Sequence, residues 1–241
     1  MTGIDIALAV LLGGSAVLHR ISGVGFALVT FPVLVILYGP VEGLAIGFLL
    51  GLSISILLMA QSWRHVMLRR ALYLSLPAVV TVPIGAALVR LADPYILTLA
   101  IGCFLLFSLF TARRRWSLLD ASTGPTMAVG AAAGFVHVTS GLSVPVLTSY
   151  AISTKWDQQQ FAASAQVIFV ILNCGSLAAL GLTSTALLSA GKLLPVVLLG
   201  SFLGLYLQRR LSAGTAQKTV VVVAAASAVG AIVRGLEGLI G

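Results

Sequence analysis

Two short segments gather the residue types that could do chemistry in this chain. His19-Arg20-Ile21-Ser22-Gly23 returns 118 positions later as His137-Val138-Thr139-Ser140-Gly141. Histidine titrates near physiological pH and could carry a proton, and Ser22, Thr139 and Ser140 add hydroxyl donors. Glycine stops a helix and lets a ligand approach the backbone. Helices starting at Gly23 and at Gly141 would aim unpaired N–H groups and positive dipole ends at one point, which suits a small anion. Gly25 and Ser143 occupy equivalent positions beside these breaks.

Arg20 has two readings. A guanidinium in apolar sequence either faces a cavity holding an anion or runs its stem along apolar surface to reach an interface. Each histidine likewise reads as a proton carrier or as a neutral ring bonded to a broken helix end. Gln166, inside a long apolar segment, is a further polar candidate. The candidate substrate-binding set is therefore His19, Arg20, Ser22, Gly23, Gly25, His137, Thr139, Ser140, Gly141, Ser143 and Gln166, with His19 and His137 as candidates for proton coupling. Ser53, Ser55, Gln61 and Asn173 are polar as well. Ser55 and Asn173, again 118 apart, either complete a substrate cage or make hydrogen bonds between helices. No catalytic group, metal-ligand spacing or cofactor motif stands out.

The elements that position these residues must lie in lipid. Of 241 residues, 59% are hydrophobic and 8% charged, and mean hydropathy is +1.12, from which no water-exposed surface can be built. The apolar stretches suit helices of about 20 residues across hydrocarbon, and the alternation of a membrane β-barrel is missing. Spans are predicted at 4–18, 24–38, 43–62, 71–90 and 95–112, then at 126–137, 142–154, 159–180, 186–208 and 213–233. Residues 1 to 18 hold Asp5 and no Lys or Arg, so they read as mature structure and not as a secretory signal. Cys103 and Cys174 show no pairing pattern. The net charge of +8 sits in clusters between spans, where it sets orientation, and implies no nucleic-acid partner.

Leu76-Pro77 and Leu194-Pro195 repeat the 118-residue offset without a gap, which argues for duplication. The predicted organisation is a first repeat at 1–112, a basic cytoplasmic linker at 113–125 and a second repeat at 126–241. Each repeat has two short segments followed by three longer ones. Segments 4–18 and 24–38, at about 22 Å each, are short against about 30 Å of hydrocarbon and read as broken or re-entrant half-helices. An odd number of crossings per repeat would place equivalent loops on opposite faces, and loop charge inverts accordingly. Arg64, Arg69 and Arg70 face an uncharged counterpart near 181–190, whereas Arg90 with Asp93 faces Arg209, Arg210 and Lys218. Placing those clusters inside, with Arg113 to Arg115 and Lys155, makes ten of the fourteen basic residues cytoplasmic. The expected fold is an all-α polytopic membrane protein of two inverted-topology repeats, multi-pass in the plasma (inner) membrane with both termini extracytoplasmic. Lys155-Trp156-Asp157 reads as an interfacial anchor.

Gly23-Val24-Gly25-Phe26-Ala27-Leu28-Val29-Thr30-Phe31-Pro32 resembles the Gly-rich first-repeat signature of the sulfite and organosulfonate exporter (TauE/SafE) family. Ser140-Gly141-Leu142 through Tyr150 is similar to its second-repeat version. Phe26 and Ala27 stand where the family has glycines, and Leu142 and Ser143 where it often has prolines. The resemblance covers nearly the whole chain. It implies a secondary transporter of small oxidised-sulfur anions, such as sulfite or an organosulfonate like sulfoacetate. On the resemblance, its sites lie at the two Gly-rich breaks, which here are Gly23, Gly25 and Pro32 in the first half and Gly141 in the second.

The expected function is export by alternating access with the substrate at mid-membrane between the breaks. Another small anion such as a carboxylate is the nearest alternative. An intramembrane enzyme acting on a lipid phosphate would need paired carboxylates or an oriented nucleophile. The six acids are instead scattered as Asp5, Glu42, Asp93, Asp120, Asp157 and Glu237. An accessory subunit would be marked by a long charged docking loop, and none is present. Expected partners are the anion, the bilayer and, for so small a carrier, a second copy in a homodimer.

Overall fold

A computed structural model describes residues 3–22, 25–111, 122–208, 210 and 213–240, with the backbone alone at residues 3–5, 22, 111 and 213. Among these, the chain forms ten α-helices and a short 3-10 turn, with no strand. The helices are α1 (Gly3–Ser22), α2 (Phe26–Tyr38), α3 (Pro40–Ser62), α4 (Leu68–Leu91) and α5 (Pro94–Thr111), followed by α6 (Thr123–Ser140), α7 (Val144–Ser153), α8 (Gln158–Leu180), α9 (Ser184–Leu207) and α10 (Ala213–Ile240). Five helical stretches are long and apolar enough to cross a bilayer: Pro40–His65, Leu68–Leu91, Gln158–Leu180, Ser184–Leu207 and Gly214–Ile240. Most of the linker predicted at 113–125, together with Gly23 and Arg209, falls outside the described residues.

Helix ends follow local chemistry. Pro40 and Pro145 occupy first-turn positions of α3 and α7, where a missing N–H costs nothing. Asp157 caps α8 by accepting from the Gln159 and Gln160 amides at 3.1 and 2.9 Å, and the Thr183 hydroxyl accepts from Ala186 N–H at the start of α9. Pro77, Pro83 and Pro195 lie inside α4 and α9 without ending them.

The first helix of each half is longer than its hydropathy predicts. α1 has 20 residues and α6 has 18, about 30 and 27 Å of helix at 1.5 Å per residue. Hydropathy falls at His19-Arg20 and across His137 to Ser140, but a helix continues as long as backbone bonds and torsions allow. Both therefore run through the polar motif, which forms their last turn instead of lying in the break. α2 and α7, with 13 and 10 residues, are the short members.

The 118-residue offset holds for the elements. α1 and α6 end at Ser22 and Ser140, α2 and α7 begin at Phe26 and Val144, and α3 and α8 match at both ends. Packing follows the same pairing. α4 lies on α6, with Gly130 against Leu74 and Gly134 against Ala78, and α1 lies on α9, with Gly200 against Gly13 and Gly204 against Val17 and Arg20. In both seams residue numbers rise together, so the helices are parallel. The equivalent pair α3 and α8 is antiparallel, with Met67, just beyond α3, near Ser164 and Gly51 near Asn173. So is the pair α5 and α10, with Gly102 near Ala228 and Leu99 near Gly235. Small residues set these approaches, as expected where lipid leaves packing as the main source of helix association.

Candidate functional site

The two breaks meet at one small cavity. Its walls include His19 from α1, Gly25 to Ala27 and Phe31 at the start of α2, and Gly51 and Ser55 from α3. From the second half come His137, Gly141 and Val144 at the α6–α7 break, with Phe169 and Asn173 from α8. Gly51 lies eleven residues from either end of α3, which puts the cavity at the mid-depth of that helix. Its volume is about 40 Å³, more than a single water needs and less than an organosulfonate would fill.

Glycine shapes both breaks. Gly141 adopts φ 74°, ψ 1° and its N–H bonds to His137 O at 2.6 Å, the left-handed stop of a helix C-terminus. A Cβ at this position would collide with the ring of Phe31, which also lies against Gly47. Gly25 has φ 146°, and a Cβ there would come within 2.7 Å of Val220 on α10. Gly141 therefore ends α6 instead of starting α7, and the helix N-termini lie three residues further on than the glycines of the motif. At α2, the first amide bonded back to the break is Val29 N–H, to Gly25 O at 3.2 Å. The N–H groups of Phe26 to Leu28 precede that bond, in the turn where a helix leaves its donors without intrahelical partners.

The histidines sit in unlike surroundings. His137 is buried, its Nδ1 2.9 Å from Ser143 Oγ and its Nε2 3.2 Å from Asn173 Oδ1. A neutral ring satisfies both bonds if Nε2–H donates to the amide oxygen and Nδ1 accepts from the serine hydroxyl. The ring is stacked between Phe48 and Phe169, with centroids 5.0 and 6.4 Å away. His19 has Phe26 edge-on at 6.5 Å, and its Nδ1 is buried with no hydrogen-bond partner. The residues equivalent to Ser143 and Asn173 are Gly25, which has no hydroxyl, and Ser55.

Of the predicted set, His19, Gly25, His137 and Gly141 line the cavity, and Ser143 stands behind His137. The other described candidates lie elsewhere. Thr139 and Ser140 spend their hydroxyls on Phe135 O and Val136 O of their own helix, at 2.8 and 2.7 Å. Gln166 is buried, with Nε2 3.4 Å from Ala162 O and Oε1 unpartnered. Arg20 sets its stem over Gly204 on the α1–α9 seam, with Nε buried and unpartnered. Gly23 and the Ser22 side chain are outside the described residues. Phe31, Phe48 and Phe169 were not foreseen, because an aromatic in a hydrophobic helix carries no distinguishing signal. Asn173 was signalled by its offset from Ser55.

Residues 6–231 match the family model for the sulfite exporter TauE/SafE. The chain belongs to the TauE/SafE family. No curated protein and no solved structure matches it. As a TauE/SafE member with five helices able to cross a bilayer, it is a multi-pass membrane transporter of the anion-exporter type. The family is one of transporters and not of enzymes.

Proposed function

We propose that this TauE/SafE protein exports a small oxidised-sulfur anion, sulfite or a short organosulfonate, by alternating access across two inverted halves. The observation that carries this reading is the convergence of both helix breaks on one mid-depth cavity where a buried His19 nitrogen has no partner. A group left unsatisfied in a low-dielectric interior costs free energy, and a ligand that accepts or donates there recovers it. Asn173 gives its carbonyl to His137 and retains an NH2 group beside Gly51. The first-turn amides of α2 complete a set of neutral donors suited to an oxyanion. No Arg or Lys lines the cavity, so the anion would be held by dipoles and a histidine, which favours release.

Inversion is supported by the antiparallel packing of equivalent helices α3 with α8 and α5 with α10. The halves differ in how firmly the short helix is held. α2 buries eight residues among α1, α3, α5 and α10, whereas α7 buries Leu147, Tyr150 and Ala151 against α6 and α8. α7 is thus the less buried of the two, and its N-terminal end at Val144, away from the Arg70 contacts to Tyr150 and Thr154, is the part that would move to enlarge the cavity. Proteoliposome flux of sulfite, sulfoacetate and lactate tests the assignment. Sulfur-anion efflux abolished by His19→Ala supports it, and lactate flux without sulfite or sulfonate flux would replace it with a carboxylate carrier.

A further inference from the structure

A second feature of the molecule follows α4 from its first turn. A cavity of about 490 Å³ opens where α4 starts, lined by Arg69, Arg70, Thr123, Thr126 and Tyr150 among others, with no acid among the described residues of its wall. Adjoining it is a groove of about 450 Å³ that shares Arg69 and Tyr73 and continues past Leu72, Leu76 and Val79 to Ile171 of α8. One end is cationic and rich in hydroxyls, and the other is apolar. Ten residues separate Arg69 from Val79, about 15 Å of helix, which is half of an about 30 Å hydrocarbon core. The groove is thus as deep as one leaflet.

We propose that this surface holds one anionic phospholipid, its phosphate between Arg69 and Arg70 and one acyl chain along Leu72, Leu76 and Val79. Arg70 is fixed in place. Its Nη2 donates to Thr154 Oγ1 at 2.5 Å, and its guanidinium lies 4.0 Å from the ring centre of Trp156 and 5.2 Å from that of Tyr150. Arg69 stays exposed, 5.7 Å from the Tyr73 ring, free to close on a phosphate with its planar fork. Thr123, in the first turn of α6, adds a hydroxyl at the same end. Leu72, Leu76 and Val79 are 48%, 67% and 45% exposed, a continuous apolar wall for the chain. Past Val79 a further cavity leads on to Arg90, but Arg90 Nη2 donates to Leu180 O at 2.8 Å and caps α8. The charge complement for a head group is therefore at the Arg69 end.

The test is native mass spectrometry of detergent-purified protein, with thermal unfolding in mixed micelles of phosphatidylglycerol or phosphatidylcholine and in inorganic phosphate without lipid. One retained phospholipid is expected, with stabilisation by phosphatidylglycerol well above that by phosphatidylcholine. Arg69→Ala should weaken the apparent affinity about five-fold, the worth of one basic residue against an anionic membrane lipid. Leu76→Trp, on an exposed face, should fold normally and lose the lipid. Equal stabilisation by both lipids would overturn the proposal. So would stabilisation by phosphate alone that Leu76→Trp leaves untouched, which marks a free-anion site. A lipid-free dimer split by Leu76→Trp would also overturn it and assign the groove to a second copy.

Discussion

His137 Nε2 lies 3.2 Å from Asn173 Oδ1, while the equivalent pair, His19 and Ser55, makes no such bond and leaves His19 Nδ1 buried and alone. One histidine is held on both ring nitrogens and the other faces a cavity. Equivalent positions in the two halves therefore have different hydrogen-bonding surroundings.

Asn173→Ala should strand a buried imidazole nitrogen and remove a polar wall of the cavity. The expected loss is about 1–3 kcal/mol of stability, the usual cost of one unsatisfied buried group, read as a lowered unfolding temperature in detergent. Asn173→Asp, which keeps the acceptor, should retain more of the thermal stability than Asn173→Ala. Equal destabilisation by the two changes would show that the bond to His137 does not matter.

His19→Ala should behave in the opposite way. It removes no hydrogen bond and relieves a buried nitrogen that has no partner, so unfolding should stay within about 1 kcal/mol of the parent, at the low end for single substitutions, while anion flux in proteoliposomes is lost. Full transport by this variant would remove His19 from the binding group.

Gly141→Ala places a methyl group into the Phe31 ring and asks an L-residue to hold φ 74°. Strain at such a torsion costs about 1–3 kcal/mol, and overpacking adds about as much again. Phe31→Ala in the same chain should recover the overpacking share but not the torsional one. A double-mutant cycle in thermal unfolding measures that coupling, and strictly additive effects would mean the two residues do not meet.

Asp157→Ala should cost about 1 kcal/mol by removing the acceptor for two first-turn amides of α8. The neighbouring Trp156 is buried under Arg70 and packs on Phe161 at 5.5 Å, so this turn clasps α7 to α4 and is not an anchor at the lipid interface. Arg70→Lys should loosen that clasp, since an ammonium does not stack as a guanidinium does. Protease sensitivity of the α7–α8 turn would report it, and unchanged cleavage would count against the clasp.

Much of this was legible in the sequence. Apolar run lengths located the helices, and α3 and α8 fall within a few residues of 43–62 and 159–180. The 118-residue offset anticipated the common ends at Ser22 and Ser140. What hydropathy missed was the continuation of α1 through His19 and Arg20 and of α6 through His137, because polarity signals a change of solvent and not the end of backbone hydrogen bonding. The meeting of His19 with His137 followed from placing both breaks at mid-membrane. The uselessness of Thr139 and Ser140 as donors did not, because a hydroxyl near a helix end bonds either to a ligand or to the carbonyl four residues back, and residue type does not separate the two. Phe31 reaches Gly141 from the other half of the chain, a contact that no local pattern encodes.

The seams α4–α6 and α1–α9 differ at equivalent positions: Gly130 and Gly134 of α6 stand where α1 has Leu12 and Ala16, and Gly200 and Gly204 of α9 where α4 has Val82 and Ala86. Two identical subunits paired about a two-fold axis could not do this, because every substitution in one copy would appear in the other. A single polypeptide releases each position from serving two seats at once. In this chain that freedom lets His137 be bonded into the scaffold on both ring nitrogens while His19 keeps a buried Nδ1 without a partner.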